Sequence, residues 1–270
     1  MKTYPSRSAQ AFRLAGVVSL FLIWPLAMTC SGAPWTNSIP WNDNFSGYAD
    51  GTPLISGTNG WYSSPGIYDS NMPPQTSIVQ SVVAHSGQAA EIAIGDTLSN
   101  SFVSTNERIV SVEMYIQPQL WTSNIYPFLS TNASFASQFF VNSNGYFVVA
   151  NGTTWYEATR KADGSPAIPI TNSYFTRVQI NLRYKNHTWN LKAWTNDTDL
   201  VASTYYVGFT RDLDAFSGFS VYNGTTNSYL DDVAVTNLDF HLLPKINGVF
   251  FDAIKRINGT RPPGVVNGVQ

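Results

Sequence analysis

The sequence predicts an all-β protein, an antiparallel β-sandwich with a short C-terminal extension. Three observations carry this reading. Short apolar–polar alternating runs recur down the chain, among them "SIVQSVVAH", "AAEIAIGD", "ERIVSVEMYIQ", "SQFFVNSNG", "YFVVANG", "YFTRVQINLRYK" and "TWNLKAWTN". Turn sequences such as "NSNG", "ANG", "ADG" and "YNG" separate them, and Asn and Gly tolerate the positive φ that tight hairpins need. Nothing before residue 240 keeps the 3.6-residue spacing of an amphipathic helix.

Composition narrows the class. Only 12% of the 270 residues are charged, while 43% are hydrophobic; an average domain carries about 25% charged residues. The surface is therefore built from Asn, Ser, Thr, Gly and Tyr, and the apolar content is ample for a large core. A charge-driven disordered chain is excluded. With a formal net charge of −2 and no basic stripe, the chain is not expected to bind nucleic acid.

The first element is a leader. Lys2, Arg7 and Arg13 precede an apolar run from Leu14 to Met28, followed by "TCSGA". This is the order of a secretory signal, assigned to residues 1–33. The run falls short of the roughly 20 residues that span a bilayer; retention as an uncleaved anchor stays open. The single cysteine, Cys30, ends the leader. It is either a lipid-anchor site or lost with the signal. Membrane contact is expected only through these two routes, and the location is secreted or cell surface. Seven Asn-x-Ser/Thr sequons, at Asn44, Asn132, Asn151, Asn186, Asn196, Asn223 and Asn258, mark polar loops.

The β domain is assigned to residues 34–240. In "FTRVQINLRY", Val178, Ile180 and Leu182 face one way and Arg177, Gln179, Asn181 and Arg183 the other. In "TWNLKAWT", Trp189, Leu191 and Ala193 form the apolar side, leaving Trp194 with Asn190 and Lys192. A tryptophan on a wet strand face suits stacking on a sugar ring; a covering loop is the alternative. In "SYLDDVAVT", alternation groups Asp231 with Tyr229, Val233 and Val235, and sets Asp232 on the opposite face. Residues 241–270 read as an extension with one short helix around Val249 to Ile257, too small for a core of its own.

Three stretches carry a family resemblance. "DNFSGYADGTPLISGTNGW" resembles the opening of concanavalin A-like (LamG-type) jelly-roll domains of secreted bacterial proteins. "FTRVQINLRYKNHTWNLKAW" is similar to their paired strands, and "FSGFSVYNGTTNSYLDDVAVT" to their closing strands with an Asp-Asp-Val ending. The resemblance covers about residues 42 to 238 and implies that fold together with sugar binding. Related carbohydrate-binding modules hold a structural Ca2+ with the first aspartate of this ending and groups of the N-terminal strand. The implied ligands are Asp231, Asp43 and Asn44. The alternative is that Asp231 accepts backbone N–H bonds from a loop.

Jelly-roll domains of this kind include glycoside hydrolases and lyases, so the resemblance by itself leaves catalysis open. Only four glutamates exist, Glu91, Glu107, Glu113 and Glu157, and none sits in a Glu-x-Asp-x-Glu strand. Glu107 and Glu113 share parity but stand about 20 Å apart along a strand. His85, His187 and His241 are scattered, and no Gly-x-Ser-x-Gly elbow occurs. The expected function is a non-catalytic module that binds a glycan or polysaccharide, with Trp61, Trp155, Tyr156, Glu157 and Trp194 as its candidate contacts. The patch "NGTTWYEATR" is favoured because Trp155 and Glu157 share a face after a turn. A structural or adhesive surface protein, and an enzyme of the same fold, are the open alternatives. Oligomeric state is not indicated.

Overall fold

A computed structural model describes residues 36–54, 59–65, 75–107, 109–123, 126–127, 129, 136–224 and 228–237, with the two-residue strands Phe21–Leu22, Lys245–Ile246 and Val249–Phe250. The expected antiparallel β-sandwich is what it contains. Every pairing between strands is antiparallel, and no α-helix occurs among the described residues.

The main sheet runs in the order Asp199–Ser203, Thr188–Thr195, Thr176–Arg183, Val110–Gln117, Ser228–Asn237, Ala89–Ile92, Ile78–Gln80. The last long strand of the chain, Ser228–Asn237, lies in its interior. One edge of Ser228–Asn237 pairs with Val110–Gln117. The other is shared: Ala89–Ile92 pairs with residues 228–230, and Trp41–Asp43 with residues 233–235. The strand Trp41–Asp43 near the start of the domain thus lies beside its last long strand. Opposite the main sheet stand Phe216–Tyr222, Asp96–Thr105 and Trp61–Pro65, and a second group of Gln138–Val141, Phe147–Asn151 and Thr154–Glu157.

Alternation fills the core as read. Val178, Ile180, Leu182, Trp189, Leu191 and Ala193 are all buried, and they pack in one cluster with Phe139, Phe219 and Trp61 of the facing strands. The runs "QFFV" and "FVVA" are buried at every position. Their second face carries a smaller core of Trp121, Phe140 and Val148, with Trp155 packed against it. A strand covered on both sides reads as a continuous apolar run rather than an alternating one.

Residues 1–33, the expected leader with Cys30, lie outside the described residues except for Phe21–Leu22, whose backbone pairs with Gln138–Phe139. The helix expected around 249–257 is corrected at its start. Val249–Phe250 is a strand paired with Lys245–Ile246, and Asn-Gly, a strong hairpin signal, separates the two in the sequence. Residues 251–257 lie outside the described residues.

Candidate functional site

Four strands of the main sheet each place one residue in a line across it. Trp194 is the register partner of Arg177, Arg177 of Tyr115, and Tyr115 of Asp231. On three of these strands the neighbours in sequence, Ala193, Val178 and Met114, are buried in the core, so Trp194, Arg177 and Tyr115 project from the opposite face. Loops build up around them. Ala84 and His85 come from the connection before Ala89–Ile92; Tyr174 and Phe175 precede Thr176–Arg183. Asn196 and Asp197 form the turn after Thr188–Thr195, at φ 49° and 62°, a left-handed conformation that Asn and Asp tolerate. Together these residues enclose a pocket of about 260 Å³.

The polar groups of the pocket are held in acid–donor pairs. The Arg177 guanidinium grips Glu113 through two bonds, Nε–Oε1 2.9 Å and Nη2–Oε2 3.0 Å, and lies 5.0 Å from the centroid of the Trp194 ring. The bond to Glu113 holds the guanidinium proton still more tightly than usual. Tyr115 donates its hydroxyl to Asp197 Oδ1. Burial, reinforced by that carboxylate, pushes its phenol well above the ordinary range, so it stays a neutral donor. The His85 ring stacks on Tyr115, with centroids 3.7 Å apart and planes 19° from parallel, and its Nδ1 lies 2.9 Å from Asp232 Oδ2.

Asp231 explains the carboxylate in the middle of an apolar strand. A β-bulge lies between Asp231 and Ala234, and Asp232 adopts φ 45°. The extra residue resets the alternation, so Val233 and Val235 enter the core while Asp231 pairs opposite Tyr115. This corrects the grouping of Asp231 with Val233 and Val235. Asp231 is nevertheless fully buried, because the His85–Ser86 loop closes over it. Its Oδ2 accepts the backbone N–H groups of His85 and Ser86, both at 2.9 Å, and its Oδ1 accepts that of Asp232 at 2.7 Å. The side chain thus fills the break in the ladder between the two strands that share this edge. Burial pushes its carboxyl up to about 6 against those donors, with Asp232 adding to the rise.

The expected calcium ligands are taken up separately. Asp43 Oδ1 accepts from Phe45 N (2.8 Å), and Oδ2 from Tyr48 Oη (2.8 Å), Asn59 Nδ2 (2.8 Å) and Trp61 Nε1 (2.9 Å). Asn44 Oδ1 accepts from Ser46 N. Among the described residues, the metal-ligand group that includes Asp231 is completed by His85 and Asp232, with one ligand atom from each lying within 4.8 Å of the others. Asp43 and Asn44 are not part of it.

Of the predicted sugar contacts, Trp194 alone lines this pocket. Trp61 is fully buried, edge-on to Trp41 and Phe219 at 5.7 Å each; it is a core residue, inaccessible to a ligand. Trp155 donates to Pro127 O (2.7 Å) and meets Phe140 edge-on at 5.0 Å, capping the smaller core rather than offering a platform. Glu157 accepts from Tyr126 Oη at 2.6 Å, and Tyr156 is exposed. Sequence reading did not single out Tyr115, Arg177 or His85. The first two had a visible signal, since both sit on the polar side of clear strands. His85 had none, because a loop brings it there.

No protein-family model matches the chain, and no curated protein matches it. Among solved structures it is similar to a sialidase, with 10% identity and a TM-score of 0.45 over 86% of this chain and 22% of that one. It is similar to domain 4 of AbnA, a GH43 extracellular arabinanase from Geobacillus stearothermophilus in complex with arabinotriose, with 13% identity and a TM-score of 0.44 over 82% and 94%. A third is an endo-1,3-beta-glucanase from Streptomyces sioyaensis, with 9% identity and a TM-score of 0.40 over 77% and 98%. At these identities the likeness is one of architecture, and no residue role is transferred from it.

Proposed function

We propose that this chain is a secreted, non-catalytic module that binds a neutral glycan in the pocket around Trp194. The observation that carries the reading is the line of Trp194, Arg177 and Tyr115 on the open face of the main sheet, ringed by Tyr174, Phe175, Asn196 and Asp197. Aromatic faces stack on the apolar faces of sugar rings, and fixed carboxylates, amides and a guanidinium select hydroxyl groups. At about 260 Å³ the pocket lies below the roughly 300–1,000 Å³ of drug-sized sites, which suits a single ring or a chain end.

Charge sets the glycan class. Glu113, Asp197, Asp231 and Asp232 gather around Arg177 and His85. A uronate brought here would meet a surplus of carboxylates, and the one guanidinium is already engaged by Glu113. Neutral polysaccharides are therefore the expected ligands. An array of immobilised neutral and uronate-bearing polysaccharides, probed with wild type and Trp194→Ala, tests this. Retention on neutral polymers that the variant loses supports it; equal retention by the variant removes the pocket from the account. Release of reducing sugar from any polymer that is bound would overturn the non-catalytic part. Export rests on the signal-like residues 1–33, and N-terminal sequencing of the product from the culture medium checks it.

A further inference from the structure

A second polar cluster lies between the sheets and shares no residue with the pocket. Asp96, the first residue of Asp96–Thr105, is fully buried. Its Oδ2 accepts from Ser63 Oγ, Ser77 N (2.9 Å) and Ser77 Oγ. Its Oδ1 is buried and accepts from nothing. Asn223 stands beside it: Asn223 N donates to Asp96 O at 3.1 Å, continuing the pairing of Tyr222 with Thr97. Directly opposed residues on neighbouring strands hold their Cβ atoms about 5 Å apart on one face. The Asn223 amide donates to Ile92 O at 2.8 Å, which leaves its own Oδ1 buried and without a partner. Ile92 is the register partner of Ser228, whose Oγ is likewise buried and without a partner.

Among the described residues, three buried oxygens without partners thus belong to residues linked by these contacts at one end of the core: a carboxylate, an amide carbonyl and a hydroxyl. Two of them are pure acceptors, and a buried carboxylate calls for positive charge. Among the described residues no Lys or Arg is paired with Asp96. Mixed carboxylate, carbonyl and hydroxyl oxygens are the ligands that hard cations prefer. We propose that Asp96, Asn223 and Ser228 hold a single hard metal cation, calcium or sodium, between the two sheets. Asp96 and Asn223 belong to one sheet and Ser228 to the other, so the ion ties the sandwich together in a chain that has no disulfide. One carboxylate neutralises sodium fully and calcium by half, and the two ions are told apart by titration.

The experiment uses the full chain, stripped with a chelator and exchanged into choline chloride. Calcium chloride or sodium chloride is then added at constant ionic strength while thermal unfolding is followed. One of the two is expected to raise the melting temperature by about 5 °C at saturation. Asp96→Asn should abolish the rise. Ser228→Ala removes a neutral group and should fold; it should move the half-effect concentration upward by about tenfold. A melting temperature that answers to neither salt means a buried water fills the gap, and overturns the proposal. So does an unchanged midpoint in Ser228→Ala, which would place the ion elsewhere.

Discussion

Trp61 and Trp194 are both strand tryptophans with polar partners, yet the fold assigns them opposite tasks. Trp61 sits in the facing sheet, enclosed by Trp41, Phe45 and Phe219, with its N–H tied to a fully occupied Asp43. Trp194 sits on the open side of the main sheet, with Arg177 over its ring and turn residues at its edge. The difference lies not in residue type or strand alternation but in which side of which sheet receives a cover. A tryptophan with its N–H satisfied and all its area buried contributes stability; one left partly open over a charged neighbour is a surface for recognition.

The comparison breaks if the two substitutions to alanine behave alike. Trp61→Ala is expected to cost about 3–5 kcal/mol in urea-induced unfolding, while Trp194→Ala should change stability by less than about 1 kcal/mol. In binding the order reverses. Trp194→Ala should weaken retention on a bound neutral polysaccharide at least about tenfold, or roughly 1.4 kcal/mol, measured by isothermal titration. Trp155→Ala should leave that affinity within about twofold, despite a loss of stability from the smaller core.

Charge sharpens the contrast further. Glu113→Gln frees the Arg177 guanidinium from its bidentate partner, and uronate-bearing polymers rejected by wild type should gain measurable affinity on the same array. The smallest effect concerns pH. Because burial raises Asp231 from 3.8 to about 6, the folded chain binds that proton more tightly than the unfolded one. The contribution favours the folded state below about pH 4 and is lost as pH rises through about 6. The stability advantage of wild type over Asp231→Asn should therefore narrow by about 1–3 kcal/mol between pH 4.5 and pH 7.5, read from unfolding curves at each pH. A gap that widens instead would show that the backbone donors outweigh burial.

Much of the sandwich was legible because simple alternation held on the strands carrying Arg177 and Trp194, and each residue read as apolar there is buried. Asp231 was not, because period-two reasoning assumes an unbroken ladder. One left-handed residue, Asp232, shifts everything after it, and two adjacent aspartates were the only hint that such a residue was tolerated there. Trp155 was misplaced for a different reason. Its role depends on "QFFV" and "FVVA" being covered on both faces, and a continuous apolar run does not say what lies on its second side. Most of the pocket comes from loops whose approach to the sheet has no local signature, so Tyr115 and Arg177 were visible as polar-face residues but not as neighbours of His85.

The central place of Ser228–Asn237 governs how the molecule can be made. Synthesis delivers the chain from its N-terminus, yet Trp41–Asp43, Ala89–Ile92 and Val110–Gln117 all wait for this strand before their sheet closes. Until residue 237 has emerged, the nascent protein holds two half-sheets with open edges, the state in which β proteins are most exposed to misassembly. A premature stop anywhere before Ser228 therefore removes the keystone rather than an edge, and leaves no smaller sandwich behind.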